Sequence, residues 1–288
     1  MRAVTLYRLL FLAAIWGASF LFMRIAAPAL GFLWTAQMRG SLAGIALLLF
    51  LFATRQQLAW RQHWRQYMVI GTIGSALPFV LYAYAALKIP AGYSAIVNST
   101  SPLWGVLLGV LFWQQSMSWR LLGGLLAGVA GVALMVRLGP VALTFDVLLG
   151  VACCCTATLC YALAGEYSKR MGNSIPVSLM ATGSQLAAAL VLLPATATLA
   201  PLPLHAPALA WAAVTALALL GSALAYLLYF KIIVEVGPIK ALTVTFLIPV
   251  FALFWGWLLL DEPVTLSMVA GCLLVVVAMA MVGYQKKA

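Results

Sequence analysis

The chain is 288 residues long, 66% hydrophobic and only 7% charged, with a mean hydropathy of +1.11, a net charge of +11 and a pI near 9.7. Apolar runs of this density, separated by short connectors, describe a polytopic helical membrane protein and exclude a soluble globular core. The positive charge does not point to nucleic acid, because the basic residues are scattered over connectors rather than gathered on one face or helix.

In chain order the candidate spans are residues 5–27, 33–53, 67–87, 91–113, 119–137, 147–169, 175–198, 208–231, 238–260 and 264–284. Each approaches the ~20 residues that cross ~30 Å of hydrocarbon. Each must be a helix, since lipid offers unpaired backbone groups no partner. Arg2 and Arg8 ahead of the first run, with small residues from Ala26 to Ala29, share features with a cleaved signal peptide. The run is longer than a signal core and its loss would leave unequal halves, so it reads as the first span. Breaks fall at Pro28 to Gly31, Thr54 to Gln66, Ile89 to Pro90, Leu138 to Phe145, Met171 to Ser174, Pro201 to Pro207, Val236 to Pro238 and Asp261 to Pro263. Trp34, Trp60, Trp64, Trp113, Trp119 and Tyr284 lie near span ends and read as an interfacial belt. The cysteines Cys153, Cys154, Cys155, Cys160 and Cys272 sit inside apolar runs without metal-ligand spacing to His63 or His205. They read as packing residues, and neither a metal nor a cofactor is expected.

Tyr82, Pro102, Gly109 and Gly124 return as Tyr229, Pro249, Gly256 and Gly271, each 147 residues later (229 − 82), and Glu262 returns at the position of Gln115. Two halves, 1–140 and 141–288, therefore share one plan within a single membrane unit. With the N-terminus in the cytoplasm, Arg2, Arg8, Arg55, Arg61, Arg65, Arg120, Lys169, Arg170, Lys231, Lys240, Lys286 and Lys287 fall on the cytoplasmic side. Only Arg24, Lys88 and Arg137 fall outside. That bias predicts ten spans with both termini cytoplasmic. Five spans per half make the repeat inverted, the architecture of transporters. An enzyme would need a nucleophile with a base, or a metal, at membrane depth, and the chain embeds no histidine and one isolated glutamate. The remaining alternatives are a transporter of other small metabolites or drugs, and a channel or lipid scramblase.

The stretches Tyr82 to Leu87, Ala91 to Ile96, Ser101-Pro102-Leu103-Trp104, Gly123-Gly124 and Gly128 to Gly131 resemble the EamA-type repeat of the drug/metabolite transporter superfamily. The second copy, with Ile248-Pro249-Val250, Gly256, Asp261-Glu262-Pro263 and Gly271, is similar to it as well, and Arg39 sits where the family usually carries an arginine. Gln115 departs from the acid expected after the fourth span. The resemblance implies an all-α fold of ten transmembrane helices as two inverted five-helix repeats, in the bacterial cytoplasmic (inner) membrane. Similarity to exporters of aromatic amino acids implies export of hydrophobic or aromatic amino acids and related metabolites. The partners are then a small solute and membrane lipids, with the oligomeric state left open.

Substrate sites of inverted-repeat carriers lie near the bilayer midplane between the halves. Asn98, Ser99, Thr100 and Ser101 form a polar run before Pro102, and the 147-residue offset pairs Asn98 with Thr245 and Ser101 with Ile248. Trp16, Tyr82, Trp104, Tyr161, Tyr226 and Tyr229 lie deep in their spans, where a hydroxyl or indole N–H favours the interior. The candidate cavity residues are Trp16, Tyr82, Asn98, Ser101, Tyr161, Tyr226 and Thr245. Pro102 and Pro249 each free a carbonyl, for bending or for a polar ligand. Arg39, about 9 Å along its helix from the outer end at 1.5 Å per residue, either holds a substrate carboxylate or snorkels to the headgroups. Glu166 is the one acid within a span, with Lys169 and Arg170 three and four residues on, and is a candidate for proton coupling. Gly40 to Gly44, Gly105 to Gly109, Gly124 to Gly128 and Ala252 to Gly256 carry small residues four apart, and these faces are expected to pack within each half.

Overall fold

A backbone in lipid has to satisfy its N–H and C=O groups internally, and helices are the only regular elements among the described residues. The structure, a computed structural model, describes residues 3–113, 118–171, 175–236 and 244–283. Its helices are α1 (Ala3–Leu30), α2 (Phe32–Ala53), α3 (Trp60–Gly71, Thr72–Ala76 and Leu77–Ala85), α4 (Ala91–Asn98 and Ser101–Trp113) and α5 (Trp119–Leu138). They continue as α6 (Phe145–Arg170), α7 (Val177–Leu199), α8 (Ala208–Ala218, Leu219–Leu224 and Ala225–Val236), α9 (Val244–Leu260) and α10 (Leu266–Gly283). The first eight are long and apolar enough to cross a membrane, and α9 and α10 are shorter apolar helices. Large apolar side chains such as Phe52, Leu111, Leu199 and Leu266 point outward, which only lipid tolerates on this scale.

Helices of one half pack chiefly on helices of the other. The principal pairs are α1 with α8 and α9, α6 with α3 and α4, α2 with α7 and α8, α7 with α3, α4 with α9 and α5 with α10. Exchanging each helix for the one five places on turns this set into itself. That exchange is the pseudo-twofold axis of two inverted five-helix repeats. The offset of the sequence repeat reappears in local geometry. Thr72–Ala76 and Leu219–Leu224 are both π-helical, and their starts differ by 147 (219 − 72). A π segment leaves one residue out of the regular ladder, a device found mostly at functional sites.

Several expectations need correction. α3 starts at Trp60 rather than 67. Its first turns are amphipathic: Tyr67 is fully buried and its hydroxyl donates to the Leu58 carbonyl at 2.8 Å, while Arg61 and Arg65 face outward. A window tuned to apolar runs passes over such an interfacial start. Trp60 accordingly packs 5.4 Å from the Tyr67 ring, whereas Trp64 and Trp119 are exposed at helix starts as a belt requires. α1 runs through Pro28 to Leu30, and the chain then turns at Gly31, whose φ of 79° is natural only to glycine. The small-residue faces divide: Gly128 meets Leu103 and Gly256 meets Glu262 within their own halves and a Cβ on Gly105 would have nothing within 4 Å, whereas the Gly40–Gly44 face packs across the halves, where backbones approach closely. Gly40 and Gly44 meet Gln185, Leu186 and Ala189 of α7, and a Cβ on Gly271 would lie 2.6 Å from the Gly131 carbonyl. Arg2, Gln115, Lys240, Tyr284, Lys286 and Lys287, and the side chains of Trp113 and Lys169, lie outside the described residues.

Candidate functional site

The two π segments flank a central cavity of about 460 Å³ between the halves. All seven residues expected there, Trp16, Tyr82, Asn98, Ser101, Tyr161, Tyr226 and Thr245, line it. So do offset-related pairs: Tyr82 with Tyr229, Asn98 with Thr245, Ser101 with Ile248 and Gly74 with Gly221. Rings are arranged around the space, with Trp16 5.3 Å from Tyr229, Phe20 5.6 Å edge-on to Tyr82, and Tyr82 6.1 Å from Tyr161 at 25°. Trp104 is not among them. After the break at Ser99 and Thr100, the second segment of α4 packs on α6, and Trp104 lines a separate apolar crevice between α4, α5 and α6.

Each proline frees a carbonyl that has a serine hydroxyl within reach, and Ser99 Oγ divides its one proton between the Thr245 carbonyl and its own-helix Ala95 carbonyl at 3.1 Å. Pro102 cannot pair with the Asn98 carbonyl, which instead accepts from Ser101 Oγ at 2.6 Å. Pro249 frees the Thr245 carbonyl, which accepts from Ser99 Oγ of α4 at 3.3 Å. α4 breaks just before Pro102, whereas α9 continues through Pro249. The Tyr82 hydroxyl donates to Asn98 Oδ1 at 2.9 Å, which fixes the amide at the cavity wall.

Arg39 also lines the cavity, at 8% exposure. Its Nε donates to Ser222 Oγ in the π segment of α8 at 3.0 Å, Nη1 reaches Met23 Sδ at 3.8 Å, and the guanidinium carbon lies 3.8 Å over the Phe79 ring. The related π segment of α3 receives a polar side chain likewise, Gln185 Nε2 donating to Ser75 Oγ at 3.1 Å. Glu166 shares α6 with Tyr161 but is not among the cavity residues. Ser75, Phe79 and Ser222 were missed from sequence. The recurrence of Gly74-Ser75 as Gly221-Ser222 at the same offset was the available signal.

The cavity is closed toward the face carrying Gly31. There Glu262, in the α9–α10 connector, accepts from the Ala91 N–H at the start of α4 with both oxygens, at 3.1 and 3.0 Å. Arg24 of α1 lies 3.6 Å from Glu262 Oε1 and donates to the Ala86 carbonyl at 2.6 Å. On the same face Lys88 donates to Asp146 at 2.8 Å, a hydrogen bond that raises the lysine pKa above its ordinary value. Toward the opposite face the cavity reaches exposed Gly165 and Ser168 near the end of α6. Arg8 and Thr5 of α1 bind Glu235 of α8 on that side.

A model of the EamA-like transporter family matches residues 5–137 and again 148–284. Protein PecM of Dickeya dadantii is 28% identical over 93% of this chain and 88% of that protein. The S-adenosylmethionine/S-adenosylhomocysteine transporter of Chlamydia trachomatis serovar L2 is 26% identical over 88% of this chain and 81% of its own. The uncharacterized inner membrane transporter YedA of Escherichia coli K12 is 29% identical over 93% and 86%. A crystal structure of a protein 18% identical superposes with a TM-score of 0.68, covering 98% of this chain and 96% of that one, a likeness of fold. The chain belongs to the EamA-like transporter family, and is a multi-pass membrane transporter of small molecules rather than an enzyme.

Proposed function

We propose, with membership of the EamA-like transporter family as the premise, that this chain is a secondary transporter exporting hydrophobic or aromatic amino acids and related metabolites across the bacterial cytoplasmic membrane. It works by alternating access around the central cavity, the halves 1–140 and 141–288 acting as one unit that bends at Pro102, Pro249 and the π segments. The observation that carries this reading is the cavity itself. It is walled by Trp16, Phe20, Phe79, Tyr82, Tyr161, Tyr226 and Tyr229, sealed at one face and open toward the other. Rings with a few hydroxyl and amide groups suit a solute with an apolar body and a small polar end.

Orientation follows from charge. Arg8, Arg55, Arg61, Arg65, Arg120, Arg170 and Lys231 lie at the helix ends opposite Gly31, against Arg24, Lys88 and Arg137 on the Gly31 face. The rule that basic residues stay inside makes the open side cytoplasmic, with both termini there. The solute then loads from the cytoplasm, as export requires. The test is counterflow: proteoliposomes preloaded with unlabelled phenylalanine accumulate radiolabelled phenylalanine transiently and saturably. Non-saturable conductance, or movement of a lipid probe, would replace the carrier with a channel or a scramblase. The name of the Chlamydia trachomatis relative supports a second reading, an amino acid carrying a nucleoside. Competition by S-adenosylmethionine stronger than by any proteogenic amino acid in the same assay would favour it.

A further inference from the structure

We propose that Arg39 binds the substrate carboxylate, and that the cavity selects an aromatic or large apolar carboxylate without selecting its α-ammonium group. This rests on the reading of the central cavity as the substrate site. Among the described residues Arg39 is the one ionised side chain in a wall otherwise made of rings, hydroxyls, amide and aliphatic groups. It has no ion-pair partner among the described residues; the acids Glu235, Glu262 and Asp146 are paired with Arg8, Arg24 and Lys88. A guanidinium withdrawn from water is costly unless something replaces its hydration.

The protein replaces only part of it. Nε is held by Ser222, one face lies on Phe79, and Nη1 meets only a thioether, a weak acceptor. Nη2 makes no hydrogen bond among the described residues. The bond to Ser222 and the ring of Phe79 fix the plane of the fork, so its Nη donors are oriented before a ligand arrives. A carboxylate fits that fork with two parallel hydrogen bonds. The ammonium end finds nothing comparable. No Asp or Glu among the described residues lines the cavity, Asn98 Oδ1 already accepts from Tyr82, and the Asn98 carbonyl freed by Pro102 accepts from Ser101. The cavity therefore carries one positive charge, and its field favours an anion over a cation.

The experiment compares three ligands built on one ring, L-phenylalanine, 3-phenylpropionate and phenethylamine, as inhibitors of phenylalanine counterflow. The first two are expected to inhibit at similar concentrations and phenethylamine about 10- to 100-fold less well, the worth of a charge-assisted hydrogen bond. Arg39→Gln is expected to remove that preference, and Arg39→Lys, which keeps the charge but loses the fork, to retain part of it. Equal inhibition by phenethylamine, or a carboxylate preference that survives in Arg39→Gln, overturns the proposal. The wild-type comparison decides it even where a variant does not fold. If phenylalanine shows no counterflow, the transport reading fails separately, and thermal stabilisation of the detergent-solubilised wild type by the same compounds judges Arg39. Stabilisation by the carboxylates alone supports the site, while stabilisation by the amine equally, or by none of the three, overturns it.

Discussion

Glu262→Ala should open the sealed face of the cavity. The carboxylate joins the α9–α10 connector to the first N–H of α4, and Arg24 ties the same point to the end of α3 through the Ala86 carbonyl. Under alternating access this link exists only while the Gly31 face is closed. Its contribution is thus a difference between states, which is what sets their populations. A hydrogen bond to a charged group contributes about 1.5–3 kcal/mol. The helix N-terminus is part of that same contact and is not added again. Arg24, a third exposed at 34% and 3.6 Å away, adds about 0–1 kcal/mol. The latch is then worth roughly 1.5–4 kcal/mol, and its loss shifts the balance toward the state open at the Gly31 face by about 10- to several-hundred-fold. The assay places a cysteine at Ser19, a buried cavity residue of α1, and measures by mass spectrometry how fast a membrane-impermeant maleimide added from outside reaches it. Labelling should rise steeply in Glu262→Ala and modestly in Glu262→Gln, which keeps an acceptor for Ala91. Lys88→Ala is the control on the same face. Its hydrogen bond to Asp146 raises the Lys88 pKa, so the pair is intact below the ordinary lysine range and lost only as pH climbs through the raised value. Labelling in that variant should match the parent near neutral pH. Unchanged outside labelling in a folded Glu262→Ala protein would refute the latch.

Gly271→Ala places a methyl 2.6 Å from the Gly131 carbonyl, so the α5–α10 crossing must spread, at a cost of about 1–3 kcal/mol for overpacking. Thermal unfolding in detergent should show the loss, and Gly105→Ala, whose Cβ meets nothing within 4 Å, should not. Tyr82→Phe removes the donor to Asn98 and is expected to change transport rate or selectivity while expression and insertion persist. Unchanged uptake and selectivity in both Tyr82→Phe and Asn98→Ala would take that pair out of the site. Ser99→Ala removes the hydroxyl that links α4 to the Thr245 carbonyl of α9 and should destabilise the protein by about 0.5–1.5 kcal/mol, the net worth of one hydrogen bond, while Ser99→Thr, which keeps the hydroxyl, should not.

The fold was legible because lipid narrows the choice of backbone and because duplication supplies a ruler. Apolar runs locate helices, and the offset of 147 that relates Tyr82 to Tyr229 also relates the cavity walls. The cavity residues were legible for the same reason: a polar or aromatic group at mid-span must face protein. Features that depend on which helix lies opposite were not. The pattern Gly40 to Gly44 marks a face for close approach but does not name α7 as its neighbour. Trp104 is as deep as Tyr82, yet the break before Pro102 sends it away from the centre. The π segments have no local signature beyond a small residue beside a serine, and they became visible only when Arg39 and Gln185 reached across to them.

Duplication makes the gates alike and leaves the site to be made different. Exchange of the halves preserves the helix pairings, the π segments and the paired walls, so either face can close by related contacts. The charge breaks this symmetry. The offset carries Arg39 to Leu186 (39 + 147), which packs against Gly44 instead of lining the cavity, so only one half offers an anion a partner. A carboxylate held at Arg39 as proposed would keep one orientation relative to the membrane, with its charged end toward the Glu262 face and its apolar body toward Tyr229. Under the proposed alternating access, movement of the halves would change which end of the cavity is open without having to turn the solute over. The same asymmetry reaches the gates, because the acid Glu262 has Gln115 as its counterpart in sequence. The link from Glu262 to the Ala91 N–H is charge-assisted, the stronger kind, and the first half has no acid at the related sequence position to supply one.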